Sequence, residues 1–133
     1  MKQSILFILI ANVFFICTSC GTTLESKHKP IIPEAKPVSD FFSASKTGDI
    51  ALIKSAYSEN MKNRIGSSDE EWKAFTKKYQ DYWPAFFGEY DLNNLHYRFE
   101  GNDSKGIIYV TYKVELPGLM VIKEKSGWKI NER

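Results

Sequence analysis

SSDEEWKAFTKKYQDYWPAFFGEY, residues 67–90, decides how this chain is to be read. Ser68 and Glu71 have the S-x-x-E spacing of a capping box, in which each side chain satisfies a backbone N–H left open at a helix start. Beyond it, apolar side chains fall at Trp72, Phe75, Tyr79, Tyr82, Trp83 and Phe86. Steps of three and four put these rings on one stripe of a helix. Lys73, Lys77 and Asp81 follow at four-residue spacing on the opposite face, where they can pair in water. Pro84 lacks an N–H and crowds the preceding turn, so the helix is predicted to end or kink near Trp83, with Gly88 as its exit.

Ahead of this stretch lies SDFFSASKTGDIALIKSAYSEN, residues 39–60. Ser39 is read as the cap of a first helix carrying Phe41, Phe42 and Ala44. Gly48 suits a left-handed stop. Asp49 can cap the turns that follow, with Ile50, Ile53, Ala56 and Tyr57 on one face.

After Gly88 the period changes to two. In LNNLHYRFEG, residues 92–101, Leu95, Tyr97 and Phe99 alternate with His96, Arg98 and Glu100. Asn102-Asp103 and Lys105-Gly106 make a turn. GIIYVTYKVEL, residues 106–116, reads as a longer strand with Ile108, Val110, Tyr112 and Val114 on one face. Pro117-Gly118 is a turn signal. LMVIKEK and WKINER flank Ser126-Gly127 as a hairpin with a two-residue loop, Trp128 and Ile130 opposite Lys129. Helices followed by an antiparallel meander of about four strands is the order of an α+β domain, with the helices packed on one face of the sheet. No internal repeat is visible.

The charge balance is nearly even, Lys+Arg 18 against Asp+Glu 16. It lacks the basic stripe that nucleic acid requires. Rings are plentiful: all seven Tyr and all three Trp lie after residue 50. Each buries a large area, so a small domain can build a core from few of them. The same rings can also line a pocket.

The chain opens MKQS, then ILFILIANVFFI, then CTS and Cys20. A short basic start, an apolar run of about a dozen residues and a small-residue exit form a secretory signal. The run is shorter than the roughly 20 residues of a bilayer span. Cys17 and Cys20 have C-x-x-C spacing, but no βαβ context surrounds them and the set for zinc is incomplete. Thr18, Ser19, Cys20 and Gly21 resemble a bacterial lipobox, in which the cysteine is acylated and becomes the first mature residue. Cys17 departs from the usual leucine. The resemblance implies residues 1–19 as a lipoprotein signal peptide, lipidation at Cys20, and attachment to a cell-envelope membrane on its periplasmic or extracellular face. The mature chain then has 133 − 19 = 114 residues and a net charge of 17 − 16 = +1 after loss of Lys2. Ordinary signal cleavage, leaving a stray thiol, is the other reading. Residues 20–38 hold Pro30, Pro33 and Pro37 and are read as an extended tether, about 60 Å long if fully stretched. Residues 39–133 are the folded domain.

FFSASKTGDIALIKSAYSEN, residues 41–60, and the closing Gly127-Trp128-Lys129-Ile130 resemble the opening helices and last hairpin of nuclear transport factor 2-like domains. That resemblance implies a curved sheet around a long helix, with a cone-shaped cavity between them. Candidate lining residues are Trp72, Phe75, Tyr79, Trp83, Tyr97, Tyr112 and Trp128. Enzymes of that fold class place Asp or Asp–His groups in the cone, where a tuned base must lie near an oxyanion donor. By strand parity His96, the one histidine of the domain, shares the water-facing side with Arg98 and Glu100. No Ser-His-Asp spacing, phosphate loop or metal set is apparent. The expected function is a tethered, non-catalytic binding or accessory domain for an apolar small molecule or another envelope protein, without cofactor or metal. An isomerase- or dehydratase-like enzyme is the second reading. The third is a structural lipoprotein forming a homodimer through its outer sheet face, where Ile107, Tyr109 and Thr111 are less polar than a solvated sheet needs.

Overall fold

Among the described residues four α-helices come first and an antiparallel sheet follows, the α+β order expected. The computed structural model describes residues 31–132. A 3-10 turn at Pro33–Ala35 leads into α1 (Lys36–Thr47), α2 (Ile50–Ala56), α3 (Glu59–Ile65) and α4 (Asp69–Phe87). A second 3-10 turn at Leu92–Asn94 precedes β1 (His96–Gly101), β2 (Lys105–Tyr112), β3 (Val114–Glu115), β4 (Leu119–Glu124) and β5 (Gly127–Ile130).

The folded part begins before Ser39. Pro33 is the first residue of the 3-10 turn and Pro37 the second of α1, both in a first turn where a missing N–H leaves no bond unmade. Ala35 and Val38 are fully buried, so residues 33–38, assigned above to the tether, belong to the domain. α1 stops at Gly48 as expected, in the left-handed region at φ 77°, its N–H donating to the Ala44 carbonyl at 2.7 Å. The Asp49 carboxylate caps α2 by accepting from the Leu52 N–H at 3.0 Å. Tyr57 is extended and bridges to Ile130, and the Ser58 N–H donates to the Ile130 carbonyl at 2.9 Å. Ser58 then caps α3, accepting from the Met61 N–H at 3.2 Å.

The capping box of α4 is present in both directions. The helix does not end at Trp83; it runs through Pro84 to Phe87. Pro84 sits in the last turn, so its ring removes only one helical bond, and the Gly88 N–H closes the end on the Pro84 carbonyl at 2.9 Å.

The sheet order is β1-β2-β4-β5, with β3 paired to β2. Tyr97 lies opposite Val110 and Phe99 opposite Ile108, so these share the inner face, as the alternation predicts. The strand expected to run on to Val114 instead reverses at Lys113, which has φ 58°. Tyr112 pairs back to Val114, and Val114, expected on the core face, is exposed. From Thr111 to Ile108 β2 advances three residues, while its partner side advances four, from Glu115 to Leu119. The extra residue is a bulge at Pro117–Gly118. Gly118 is required there: a Cβ would come within 2.3 Å of Ile107 Cγ2.

α1 and α2 lie over the sheet around β5. Val38, Phe42, Ile53, Ile108, Val110, Val121 and Ile130 are fully buried between the two layers. α4 packs on α1 and α2.

Candidate functional site

α4 carries its rings as a continuous path. Trp72 meets Phe75 at 5.6 Å, Phe75 meets Tyr79 at 5.0 Å, and Tyr79 stacks on Trp83 at 6.1 Å. Trp83 stacks on Phe87 at 5.4 Å, and Phe87 meets Tyr112 of β2 edge-on at 5.2 Å. Phe41 of α1 sets its edge against Tyr79 at 4.9 Å and Trp83 at 6.2 Å. Five of the seven expected lining residues therefore fall on one path: Trp72, Phe75, Tyr79, Trp83 and Tyr112.

Their depths differ. Trp72 is fully buried, and its indole N–H donates to the Gly66 carbonyl at 2.9 Å. Phe75, Tyr79, Trp83 and Tyr112 are half-buried at the edge of the core. The Trp83 indole N–H is buried without a hydrogen-bond partner, a condition met by no other side-chain nitrogen or oxygen among the described residues. The Tyr112 hydroxyl donates to the Glu89 carbonyl at 3.3 Å.

Tyr97 and Trp128 lie elsewhere on the inner face. Burial pushes the Tyr97 hydroxyl up to about 12, opposed in part by the nearby Ser39 side chain of α1. Trp128 packs edge-on against Phe99 at 5.5 Å. His96 is exposed on the outer face, where strand parity put it. Cys20 lies outside the described residues.

A group the sequence reading passed over sits at the chain's far end. Glu132 is half-buried, and loss of water raises its carboxyl above the usual range. Burial first, then the neighbouring Tyr79 and Glu132, hold the Tyr57 phenol protonated well above its ordinary range. Arg64 Nη1 donates to the Glu132 backbone carbonyl at 3.2 Å, and the Ser58 hydroxyl donates to Asn131 Oδ1 at 2.7 Å. These bonds fix Asn131 and Glu132 against α3.

Two open clefts border α4. One, about 740 Å³, is lined by Lys46, Gln80, Pro84, Tyr90 and Tyr112. Lys46 Nζ donates to the Tyr90 carbonyl at 2.5 Å and stands 4.9 Å from that ring's centre. The other, about 490 Å³, lies between Gly48, Ile50, Thr76 and Lys77. Of the seven expected lining residues, Tyr112 alone lines one of these two clefts; Trp72, Phe75, Tyr79, Trp83, Tyr97 and Trp128 line neither. On the outer sheet face, Arg98 covers Tyr109 at 4.2 Å and pairs with Glu100 and Glu115.

Among the described residues no helix is long and apolar enough to cross a membrane, and no three His, Cys, Asp or Glu side chains are grouped to hold a metal. No family model, curated protein or solved structure matches this chain.

Half-buried rings offer flat apolar surface, while the unpartnered Trp83 N–H lies buried beneath it. A proton-transfer site needs a base facing a substrate pocket; Glu132 is the raised carboxyl among the described groups.

Proposed function

We propose that the chain is a lipid-anchored envelope protein, acylated at Cys20, whose domain binds without catalysing. The ligand is an apolar small molecule or an apolar segment of another envelope protein. The ring path from Phe75 through Tyr79 and Trp83 to Tyr112 carries this reading, because its rings are half-buried and its last member, Tyr112, lines a cleft large enough for a small molecule. His96 on the outer face supports the non-catalytic part. The likeness to nuclear transport factor 2-like domains belongs to this proposal.

Titration with an anilinonaphthalene sulfonate probe tests it. Saturable quenching of tryptophan emission is expected, with affinity falling at least tenfold in Tyr112→Ala, which loses about 1.4 kcal/mol or more of contact. Quenching that never saturates, or that Tyr112→Ala leaves unchanged, contradicts the site.

One observation favours a catalytic reading: the raised carboxyl of Glu132 near Tyr57 and Tyr79. A Glu132 carboxyl that titrates in the ordinary glutamate range by NMR would remove it.

A further inference from the structure

Tyr82 and Phe86 stand one turn apart on α4, 47% and 50% exposed, with their rings stacked at 5.8 Å and 10°. Phe86 packs on Phe87 at 4.9 Å, and Phe87 meets Tyr112 at 5.2 Å. Across the chain reversal Tyr112 pairs with Val114, which is 55% exposed. Three large apolar side chains left in water thus lie close together, Tyr82 and Phe86 at the end of α4 in ring contact through Phe87 with Tyr112, and Val114 as the strand partner of Tyr112 at the β2–β3 reversal. Two cations flank the run. Lys78 Nζ is 5.5 Å from the Tyr79 ring centre and Lys113 Nζ is 5.4 Å from that of Tyr112. Among the described residues neither lysine is paired with a carboxylate.

Single exposed rings are ordinary on folded proteins. A stacked aromatic pair joined to a third apolar side chain, with unpaired lysines at its margins, has the composition of a membrane–water boundary. Rings settle there at headgroup depth while ammonium groups meet lipid phosphates.

We propose that this patch lies on the anionic headgroup layer of the membrane to which the chain is tethered. The inference rests on the Cys20 anchor. Because the fold begins at Pro33, the tether runs from Cys20 to Ile32, 13 residues and about 40 Å at full stretch. A domain of about 100 residues has a radius of gyration near 13 Å, so a tether of that reach lets any face turn to the bilayer. Tethering also keeps the lipid surface at high effective concentration, so a patch too weak to recruit a free protein suffices to orient an anchored one. Lysines near an anionic leaflet add attraction that salt weakens.

Once Cys20 is acylated the mature chain has no free thiol, so Tyr82→Cys and Phe86→Cys each give a single site for a nitroxide label. Asp103→Cys, on the exposed β1–β2 turn, is the water reference. The lipidated full mature protein is placed in vesicles of phosphatidylglycerol and phosphatidylcholine. Labels at 82 and 86 are expected to lose most of their collisions with a water-borne nickel chelate and to gain collisions with oxygen, relative to 103. Reversing both flanking charges, Lys78→Glu with Lys113→Glu, is expected to restore the nickel collisions at an unchanged melting midpoint. Equal nickel collisions at 82, 86 and 103 overturn the proposal. So does spin–spin broadening at 82, which would put a second copy of the chain on the patch. Intact mass read on the same sample separates the two ideas. An unacylated protein removes the anchor and with it the argument for lipid; an acylated protein with water-exposed labels refutes the patch alone.

Discussion

Glu71 gathers three donors on one oxygen: the Ser67 N–H at 2.9 Å, the Ser68 N–H at 3.0 Å and the Ser68 hydroxyl at 3.0 Å. These bonds favour the ionised form and hold its carboxyl below the usual glutamate range, the Ser68 backbone bond contributing most. The stability they add is present above the ordinary glutamate value and is lost as pH falls through the depressed one. In Ser68→Ala, an NMR titration is expected to show the Glu71 pKa rising, since the hydroxyl bond is gone; an unmoved value would contradict the box. Glu132 has the opposite sign. Its raised carboxyl makes folding less favourable as pH climbs from the ordinary glutamate value through the raised one. The two buried indoles differ in a measurable way. Trp72 donates to Gly66, whereas the Trp83 N–H has no partner, a deficit of about 1–3 kcal/mol. Trp72→Phe loses a made bond and leaves the Gly66 carbonyl without it, while Trp83→Phe removes an unmade one. Urea unfolding is expected to show Trp72→Phe as the more destabilised variant; the reverse order would mean that Trp83 has a partner in solution.

At the scale of elements, α4 runs through a proline. Relative to alanine, proline inside a helix is about 3 kcal/mol less favourable, offset in part by roughly 0.4–1 kcal/mol from a stiffer unfolded chain. Pro84→Ala is therefore expected to stabilise the domain by about 2 kcal/mol, read as a higher urea midpoint at an unchanged slope; a lower midpoint would mean that the proline ring itself packs. Which elements were legible follows the same physics. Ser68 and Glu71, Gly48 and Asp49, and the alternation from Leu95 to Glu100 carry local signals of cap, stop and pleat, and all three appear where expected. The start of α1 was hidden because prolines at the first helical positions look like tether. α3 has Met61 as its one buried side chain and shows no stripe. The reversal at Lys113 lacks the Gly or Asn that usually marks a positive φ, so the sequence reads as a strand running on to Val114. For the site, helical spacing put Trp72, Phe75, Tyr79 and Trp83 on one side of α4, but spacing carries no depth. Trp72 went to the core while Tyr82 and Phe86 stayed in water. Tyr97 and Tyr112 share strand parity, and only the turn of α4 toward β2 through Phe87 selects Tyr112. Glu132 has no local signal, because its burial comes from the chain end packing beside Tyr57 and Tyr79.

Over the whole molecule, the fold stands on its apolar layers. The two cysteines, Cys17 and Cys20, both lie outside the described residues, so the described helices and sheet depend on the burial of residues such as Val38, Phe42, Ile53, Ile108 and Val121. The aromatic surplus beyond that core lies along α4 and reaches water at Tyr82 and Phe86, which is why binding and membrane contact are both assigned to that side. Both assignments depend on where the chain is held. Intact mass spectrometry of the protein extracted from native membranes addresses this most directly. The expected species begins at Cys20 and carries acyl chains on its sulfur. A species that keeps residues 1–19, or one recovered in the aqueous fraction with a free Cys20 thiol, would contradict it.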